Sequence, residues 1–465
     1  MIEGAGADAP SRTLRISGRD PSSGTWRTHE YRLPDTTHGA YLDLYATIAG
    51  DFGTCVPRSR RDAGSASSRT RYEALLTQPL SAQIRYGYGD PAVLQVPDSP
   101  RTGSAGTYYL VVTSNDAPDS FPVLRSRDLG QWELAGFVFP EGDKPGWALD
   151  GEGRSDFWAP ELHHVGGEYL VFFAARAKDG GELAIGVARS STPCGPFVAD
   201  EKPLVADGVI DPHVLVEPDG KAYLFWKHDA NDRWPALLAD LLHRHGELTV
   251  GLFPDLARQR TASLCQTLWP WIRTLPPMER FLALQPLVEA VTSDFLPFQQ
   301  RLGGLVQAGM RQQAVSIARD VLEAMRTPIH GQRLAPDSRS LTGPREVVLM
   351  NDRGWEAHLV EGAWVARHGR KYYLFYAGND FTTADYGIGV AISDSPLGPY
   401  AKLDGPLLTS TPQWSGPGHP SVANGLDGQP QLFLHAFFPG RTGYKEFRAL
   451  LTVPVAFESD RVVLR

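Results

Sequence analysis

Residues 157–173, FWAPELHHVGGEYLVFF, decide the fold of this chain. They combine a short strand with a proline near its start, a Gly-Gly turn and a second, aromatic strand, which is the pattern of an antiparallel hairpin. The opening strand occurs in five copies, at residues 89–93, 158–162, 210–214, 360–364 and 418–422. The aromatic strand follows each copy, at residues 108–112, 169–173, 223–226, 372–376 and 432–435. The chain therefore contains an internal repeat.

A third strand and an outer turn extend the repeat. Residues 184–190 are followed by Gly-Pro-Phe at 195–197, and residues 387–393 by Gly-Pro-Tyr at 398–400. Each unit thus has sequence for about four antiparallel strands, which is one blade of a propeller. The five copies predict an all-β fold, a five-bladed β-propeller.

The spacing of the copies predicts an insertion. The interval between the third and fourth copies is more than twice any other, and its excess carries apolar residues at the three- and four-residue steps of a helix. These residues are Leu302, Leu305, Val306, Met310, Ile317, Val321 and Met325. We predict an N-terminal extension of unknown role at 1–83, blades one to three at 84–253, a helical insertion between blades three and four at 254–344, and blades four and five at 345–465. The apolar helix face predicts packing within the insertion, a lid, or a homo-oligomer contact.

The composition argues against several classes of partner. The chain has 465 residues with 45 basic and 53 acidic side chains, a net charge of −8, which disfavours a nucleic acid as the main partner. Its apolar runs are shorter than the roughly 18 residues of a spanning helix, so a membrane is not expected as a partner. The first residues lack the basic and apolar regions of a secretion signal. We expect a cytoplasmic protein as given, or a secreted one if a leader was removed.

Acidic residues recur at the start of the predicted innermost strands. The repeat aligns Asp90, Ala159, Asp211, Glu361 and His419, and in a propeller these positions converge at one mouth of the central channel. Adjacent carboxylates are costly, because burial and like charge raise at least one pKa. Hydrolysis of a glycosidic bond uses such a set: an acid protonates the leaving oxygen, and a carboxylate roughly 6.5–9.5 Å away activates water in an inverting enzyme. A third carboxylate nearby can keep the acid protonated.

The sequence at this point resembles glycoside hydrolase family 43, within the clan of five-bladed propeller hydrolases that act on furanosides and xylosides. The resemblance covers about residues 84–253 and 345–465. It is carried by Gly89-Asp90-Pro91, Phe157-Trp158-Ala159-Pro160-Glu161, Ile210-Asp211-Pro212, Val360-Glu361-Gly362, and Gly418-His419 followed by His435.

The resemblance implies a role for each matching residue. Asp90 would be the general base, Asp211 would orient the acid and raise its pKa, and Glu361 would be the general acid. His419 would lie in the channel and contact a structural calcium ion or its waters, while no cofactor is required for the chemistry. Arg448 would reach the sugar, with Arg441 as its competitor.

Several alternatives stay open in the sequence. Glu356 competes with Glu361 for the role of the acid, and Ala363 replaces the proline that the family often has two residues after the acid. Trp158 and Phe157 are candidates for stacking on a sugar face or for packing between blades.

The expected function is an inverting, exo-acting glycoside hydrolase that acts on an oligosaccharide or polysaccharide. It would release terminal α-L-arabinofuranosyl, β-D-xylosyl or β-D-galactofuranosyl residues by general acid–base catalysis. The alternatives are a carbohydrate-binding propeller without catalysis, against which the three acids count, and a related propeller transferase or phosphorolytic enzyme.

Overall fold

The protein divides into two compact units. The computed structural model describes residues 2–3, 13–19, 26–32, 44–45, 47–48, 71–97, 106–151, 155–179, 181–229, 231–307 and 312–465. One unit comprises the described residues up to 62 together with those of 230–326, and the other those of 63–229 and 327–465. The second unit contains all five copies of the repeat.

Short strands precede the first repeat. They are β1 (Ile2–Glu3), β2 (Thr13–Arg19), β3 (Trp26–Arg32) and β4 (Glu73–Leu76). The first three form an antiparallel sheet of their own within the smaller unit. By contrast, β4 pairs with a strand of the last repeat. The predicted extension at 1–83 therefore ends too late, because a strand at 73–76 already belongs to the repeat-containing unit. Residues 4–12, 20–25, 33–43, 46 and 49–70 of that prediction lie outside the described residues.

The larger unit contains five antiparallel sheets, each with four strands ordered as in the chain. The first has β5 (Ala92–Val96), β6 (Thr107–Val111), β7 (Ser120–Ser126) and β8 (Glu133–Phe139). The second has β9 (Phe157–Val165), β10 (Glu168–Arg176), β11 (Leu183–Ser190) and β12 (Val198–Ala199). The third has β13 (Val209–Val216), β14 (Ala222–His228), β15 (Pro328–Leu334) and β16 (Leu341–Met350).

The fourth and fifth sheets follow the same plan. The fourth has β17 (Val360–His368), β18 (Lys371–Gly378), β19 (Gly387–Ser393) and β20 (Ala401–Lys402). The fifth has β21 (Ser415–Asn424), β22 (Pro430–Phe437), β23 (Arg448–Phe457) and β24 (Val462–Leu464), and β4 pairs with β23.

The first strand of each sheet lies next to the first strand of the following sheet. In chain order β5, β9, β13, β17 and β21 contact one another, and β21 also contacts β5. The first strands of the second, third and fourth sheets are buried on both faces, since β9, β13 and β17 are nearly continuous runs of buried residues. Aromatic and β-branched residues fill the space between sheets, as the apolar content of these strands requires.

The helical segment interrupts the third sheet rather than separating two sheets. Its helices are α1 (Arg233–Arg244), α2 (Leu248–Leu252), α3 (Leu256–Ile272), α4 (Pro277–Thr292), α5 (Phe295–Gln307) and α6 (Gln312–Ala324). They lie between β14 and β15, the second and third strands of that sheet. The predicted insertion at 254–344 between blades three and four is therefore wrong in position and bounds. β15 and β16, at residues 328–334 and 341–350, complete the third sheet, so the insertion ends before residue 344. Its first helix, α1, begins at Arg233, before residue 254.

The helices have their own apolar interior. Leu282, Leu284, Leu287 and Val288 of α4 are fully buried, and so is Leu238 of α1. Of the apolar residues whose spacing predicted helices, Leu302, Val321 and Met325 are buried, Leu305, Val306 and Ile317 are half-buried, and Met310 lies outside the described residues. Among the described residues, the helices are too short or too polar to cross a membrane.

Candidate active site

A backbone irregularity sets the position of the acidic residues. Asp90, Ala159, Asp211, Gly362 and His419 share a positive φ of 44–56°. In four of the sheets the residue immediately before them is the last one in register before the first strand bulges against the second. The site therefore lies where the innermost strands begin.

The register predicted for Glu361 is wrong by one residue. The backbone equivalent of Asp90, Asp211 and His419 in the fourth sheet is Gly362, and Glu361 precedes it. Glycine takes this left-handed conformation without strain, but it has no side chain. In the fourth sheet the functional side chain therefore belongs to the preceding residue, Glu361.

Two other sheets have glycine at that preceding position. A Cβ on Gly89 would lie 1.8 Å from the guanidinium carbon of Arg448, and a Cβ on Gly418 would lie 1.8 Å from the ring of Tyr386. The missing side chains thus create the space through which Arg448 and Tyr386 reach the acids.

Asp90 is held as an ionised carboxylate. Its Oδ1 accepts a hydrogen bond from Arg448 Nη1 at 2.8 Å, and its Oδ2 accepts one from the hydroxyl of Thr113. The Nδ1 atoms of His419 and His435 lie 3.4 and 3.5 Å from Oδ1. Burial alone would raise the pKa of Asp90, but the Arg448 guanidinium above all, with the two imidazoles and the Thr113 hydroxyl, holds it well below its ordinary value. Asp90 can therefore accept a proton but does not carry one.

Asp211 has the opposite electrostatic environment. Its Oδ2 accepts a hydrogen bond from the backbone N–H of Gly362 at 2.8 Å, which holds the carboxyl next to Glu361. Burial, reinforced by the charges of Glu361 and Asp90, raises the pKa of Asp211 to about 7, although His419 and Lys227 oppose the shift. This carboxyl therefore retains a proton into the neutral range.

Glu361 is fixed at both oxygens. Tyr386 donates its hydroxyl to Oε1 at 2.8 Å, and Lys227 donates from Nζ to Oε2 at 2.8 Å. All three side chains are buried. The Tyr386 hydroxyl also interacts electrostatically with Asp211 and Asp90. The structure thus brings the three predicted acids together, with Asp90 just before the first strand of the first sheet, Asp211 in the third sheet and Glu361 in the fourth.

Two competing residues lie elsewhere. Glu356 is fully buried, and its oxygens accept hydrogen bonds from Tyr376, Lys402 and the backbone, so they hold the loop before β17. Arg441 is exposed and pairs with Glu446. Arg448, by contrast, contacts Asp90.

The two aromatic candidates have different surroundings. The prediction that Phe157 stacks on a sugar is wrong, because its ring is fully buried against Phe121, Phe139 and Phe173. Trp158 is half-buried and occupies in the second sheet the register position of Glu361. Its Nε1 donates to Asn115 Oδ1 at 3.1 Å, so the indole has a fixed orientation.

Sequence reasoning missed Lys227, Tyr386 and a buried cluster of Glu161, His163 and His213. Lys227 lies at the end of an apolar strand, where a charged residue is unusual, and this could have signalled a buried ion pair. Tyr386 left no such signal, because it lies outside the segments that recur in the five copies of the repeat.

The set of acids, one ionised and one that holds a proton, is that of an acid–base hydrolase. The chain matches the sequence profile of glycosyl hydrolases family 43 over residues 89–255 and 316–463. The protein belongs to this family.

Named relatives match parts of the chain. A probable arabinan endo-1,5-alpha-L-arabinosidase A of Aspergillus niger is 33% identical over 26% of this chain and 38% of its own length. Xylosidase/arabinosidase 43A of Humicola insolens is 28% identical over 60% of this chain and 65% of its own length. The chain thus spans less than two thirds of the length of either relative.

Solved structures share the fold. A thermostable family-43 glycoside hydrolase aligns with a TM-score of 0.55 at 24% identity, over 82% of this chain and 93% of its own. An endo-1,4-beta-xylanase from Bacteroides thetaiotaomicron aligns with a TM-score of 0.52 at 19% identity, over 82% and 95%.

Proposed function

We propose that the five sheets are the blades of a closed five-bladed propeller. The contact of β21 with β5, and the pairing of β4 from before the first blade with β23 of the last, support this proposal. The three acids then lie at one mouth of the channel that the first strands surround.

The protein is then an inverting, exo-acting glycoside hydrolase. Its substrate is an oligosaccharide or polysaccharide with a terminal α-L-arabinofuranosyl, β-D-xylosyl or β-D-galactofuranosyl residue. The observation that carries the proposal is the contrast between Asp90, which is held ionised, and Asp211, which retains a proton beside Glu361. Arabinose and xylose are favoured over galactofuranose by the names of the two relatives.

Asp90 acts as the general base. Its Oδ1 accepts a hydrogen bond from Arg448 and its Oδ2 one from Thr113. Each oxygen has a further lone pair, so the carboxylate can also accept a hydrogen bond from a water molecule. The water gives its proton to Asp90 while its oxygen attacks the anomeric carbon from the face opposite the leaving group.

Glu361 acts as the general acid, and Asp211 is a positioning residue. Tyr386 and Lys227 donate to the two oxygens of Glu361 and fix its carboxyl for an approaching substrate oxygen. Asp211, whose pKa burial raises to about 7, carries the neighbouring proton that is transferred through Glu361 to the leaving group. The Gly362 N–H keeps Asp211 next to the acid through this transfer.

Three further side chains complete the proposed sugar site. Trp158 offers an apolar face for stacking, and Arg448 and His419 offer hydrogen-bond donors beside Asp90. Phe157 has no part in the site.

A structural calcium ion at His419 remains a prediction. Calcium takes six to eight oxygen ligands, and the carboxylates near His419 already accept hydrogen bonds from Arg448, Thr113 and Gly362. Water would therefore supply most of the ligands. Dialysis against a chelator followed by calcium addition tests this. A gain in thermal stability with calcium alone supports the site, whereas no gain in thermal stability refutes it.

The remaining expectations concern the whole protein. A homo-oligomer contact through the helical segment remains a prediction, and light scattering on the purified chain tests whether an oligomer forms. The cytoplasmic or secreted location likewise remains a prediction, tested by fractionation of the producing cells.

Variants at the acids test the proposed roles. Glu361→Gln should abolish hydrolysis of substrates with poor leaving groups but retain activity on dinitrophenyl glycosides, because dinitrophenolate leaves without protonation. Asp90→Asn should abolish both. Asp219→Asn changes an exposed carboxyl in the turn after β13 and should leave both unchanged. Full activity in the first two variants would refute the catalytic role of these acids, and a wild type that hydrolyses neither substrate would favour a carbohydrate-binding protein.

Product analysis separates the modes of attack. Proton NMR of the first-formed anomer should show inverted configuration, and retention would contradict the mechanism. An endo-acting arabinanase is the second candidate, because the Aspergillus relative carries that name. Monosaccharide as the first product from linear arabinan supports exo action, and a mixture of oligosaccharides supports the alternative.

A further inference from the structure

Three buried side chains, those of Glu161, His163 and His213, meet on the innermost strands two to four residues after the bulged positions Ala159 and Asp211. Glu161 Oε2 lies 2.7 Å from His163 Nε2 and 2.8 Å from His213 Nδ1. One ligand atom from each residue lies within 4.8 Å of the others. At least nine-tenths of each side chain is buried.

The strands explain why these side chains meet. Glu161 and His163 are two residues apart on β9, so they project from the same face. His213 lies on the neighbouring strand β13, two residues after Asp211. The cluster thus joins two sheets and contacts neither oxygen of Asp90 nor those of Glu361.

Both ring nitrogens of His213 face an oxygen that can accept a hydrogen bond. Nδ1 lies 2.8 Å from Glu161 Oε2, and Nε2 lies 3.4 Å from the carbonyl oxygen of Val365. A neutral imidazole carries one hydrogen and can donate to only one of these oxygens. At 2.8 Å, either a proton or a metal ion lies between Nδ1 and Glu161 Oε2.

We propose that Glu161, His163 and His213 form a binding site for a divalent transition-metal ion of the zinc type. Two imidazole nitrogens and one carboxylate oxygen are ligands that zinc prefers, whereas calcium prefers oxygen alone. Metal–ligand bonds of about 2.0–2.1 Å require the two N–O distances to lengthen by roughly half an ångström. The Val365 carbonyl orients His213 from behind, as the outer partner of a metal-bound histidine does.

The site would stabilise the fold by linking β9 to β13. It is distinct from the predicted calcium contact at His419 and does not depend on the proposed hydrolysis. Trp364, whose ring centroid is 4.5 Å from that of His213, covers one side of the cluster.

Glu161→Gln is the sharpest variant. A glutamine whose NH₂ group takes the place of Oε2 donates to both histidines, so the buried hydrogen bonds persist, but an amide nitrogen does not bind zinc. The variant should therefore fold like the wild type without metal. His163→Gln removes a ligand, and His164→Gln is its matched control, because His164 is the exposed neighbour on the same strand.

The probe is Zn²⁺ or Co²⁺ added to chelator-treated full-length protein. We expect the wild type and His164→Gln to retain about one equivalent of Zn²⁺ after desalting, to show visible Co²⁺ absorption, and to melt at higher temperature with metal. Glu161→Gln and His163→Gln should bind more than about a hundredfold more weakly, since even outer-shell changes cost 10–100-fold.

Three results would overturn the proposal. They are wild-type protein that retains no metal, metal binding by Glu161→Gln equal to that of the wild type, and equal loss in His164→Gln. The first would show that a proton alone bridges Glu161 and His213.

Discussion

The ion pair between Arg448 and Asp90 offers a test of the site's electrostatics. In Arg448→Met, Asp90 keeps its burial but loses its nearest cation, since the two side chains are only 10% and 14% exposed. Removal of one partner from a buried pair costs roughly 3–5 kcal/mol. In the wild type the folded-state pKa of Asp90 is depressed, so the ion pair contributes stability at any pH above the unfolded pKa. That contribution is lost as the pH falls towards the folded-state pKa. The difference between variant and wild type should therefore be fully present at pH 7 and shrink only below the unfolded pKa of about 4, towards pH 2.

Urea unfolding at both pH values measures this difference. Arg441→Met is the matched control, because Arg441 is 67% exposed in its pair with Glu446, and we expect a change within about 0.5 kcal/mol. Equal effects of the two substitutions, or a loss in Arg448→Met that does not depend on pH, would refute the assignment of Arg448 as the cation that keeps Asp90 ionised.

Three further predictions follow from the site. Gly418→Ala should displace the ring of Tyr386 and reduce kcat about 10–100-fold, as should Tyr386→Phe, whereas Gly303→Ala, with open space around it, should have no effect. The kcat/KM profile should fall above about pH 7 as the proton on Asp211 is lost, and a profile that stays flat to pH 9 would contradict this. The stability that this raised pKa contributes should be lost earlier, as the pH rises from about 4 to 7, and a free energy of unfolding that does not respond over that range would contradict the shift. Lys227→Met should move that alkaline limb to higher pH, because a buried cation that favours ionisation is removed, and a shift to lower pH would be inconsistent with this reasoning.

The sheets could be predicted from the sequence because each copy of the repeat carries its own local signals. Glycine turns, a proline near the strand start and an aromatic second strand recur in the same order, and the five sheets follow them closely. The interruption of the third sheet could not be placed in this way. The strands at 328–334 and 341–350 are separated from their partners by the helices, so only the pairing of β14 with β15 shows where the sheet resumes.

The environment of the acids was less predictable, because it depends on contacts between distant segments. The identity of Asp90 and Asp211 follows from the repeat, but their opposite pKa shifts arise from Arg448 in one case and from burial beside Glu361 in the other. The cluster of Glu161, His163 and His213 was missed for the same reason. Each residue alone is an ordinary strand residue, and only the packing of β9 against β13 brings them together.

The error of one residue at Glu361 reveals how the site is constructed. Side chains reach it from two successive register positions: the bulged position supplies Asp90, Asp211 and His419, and the position before it supplies Glu361. An alignment that assumes a single position per sheet must fail in the fourth sheet, where glycine occupies the bulge. Glycines before the bulge in the first and fifth sheets admit Arg448 and Tyr386, so these small residues determine which acid is held ionised and which has a hydroxyl donor.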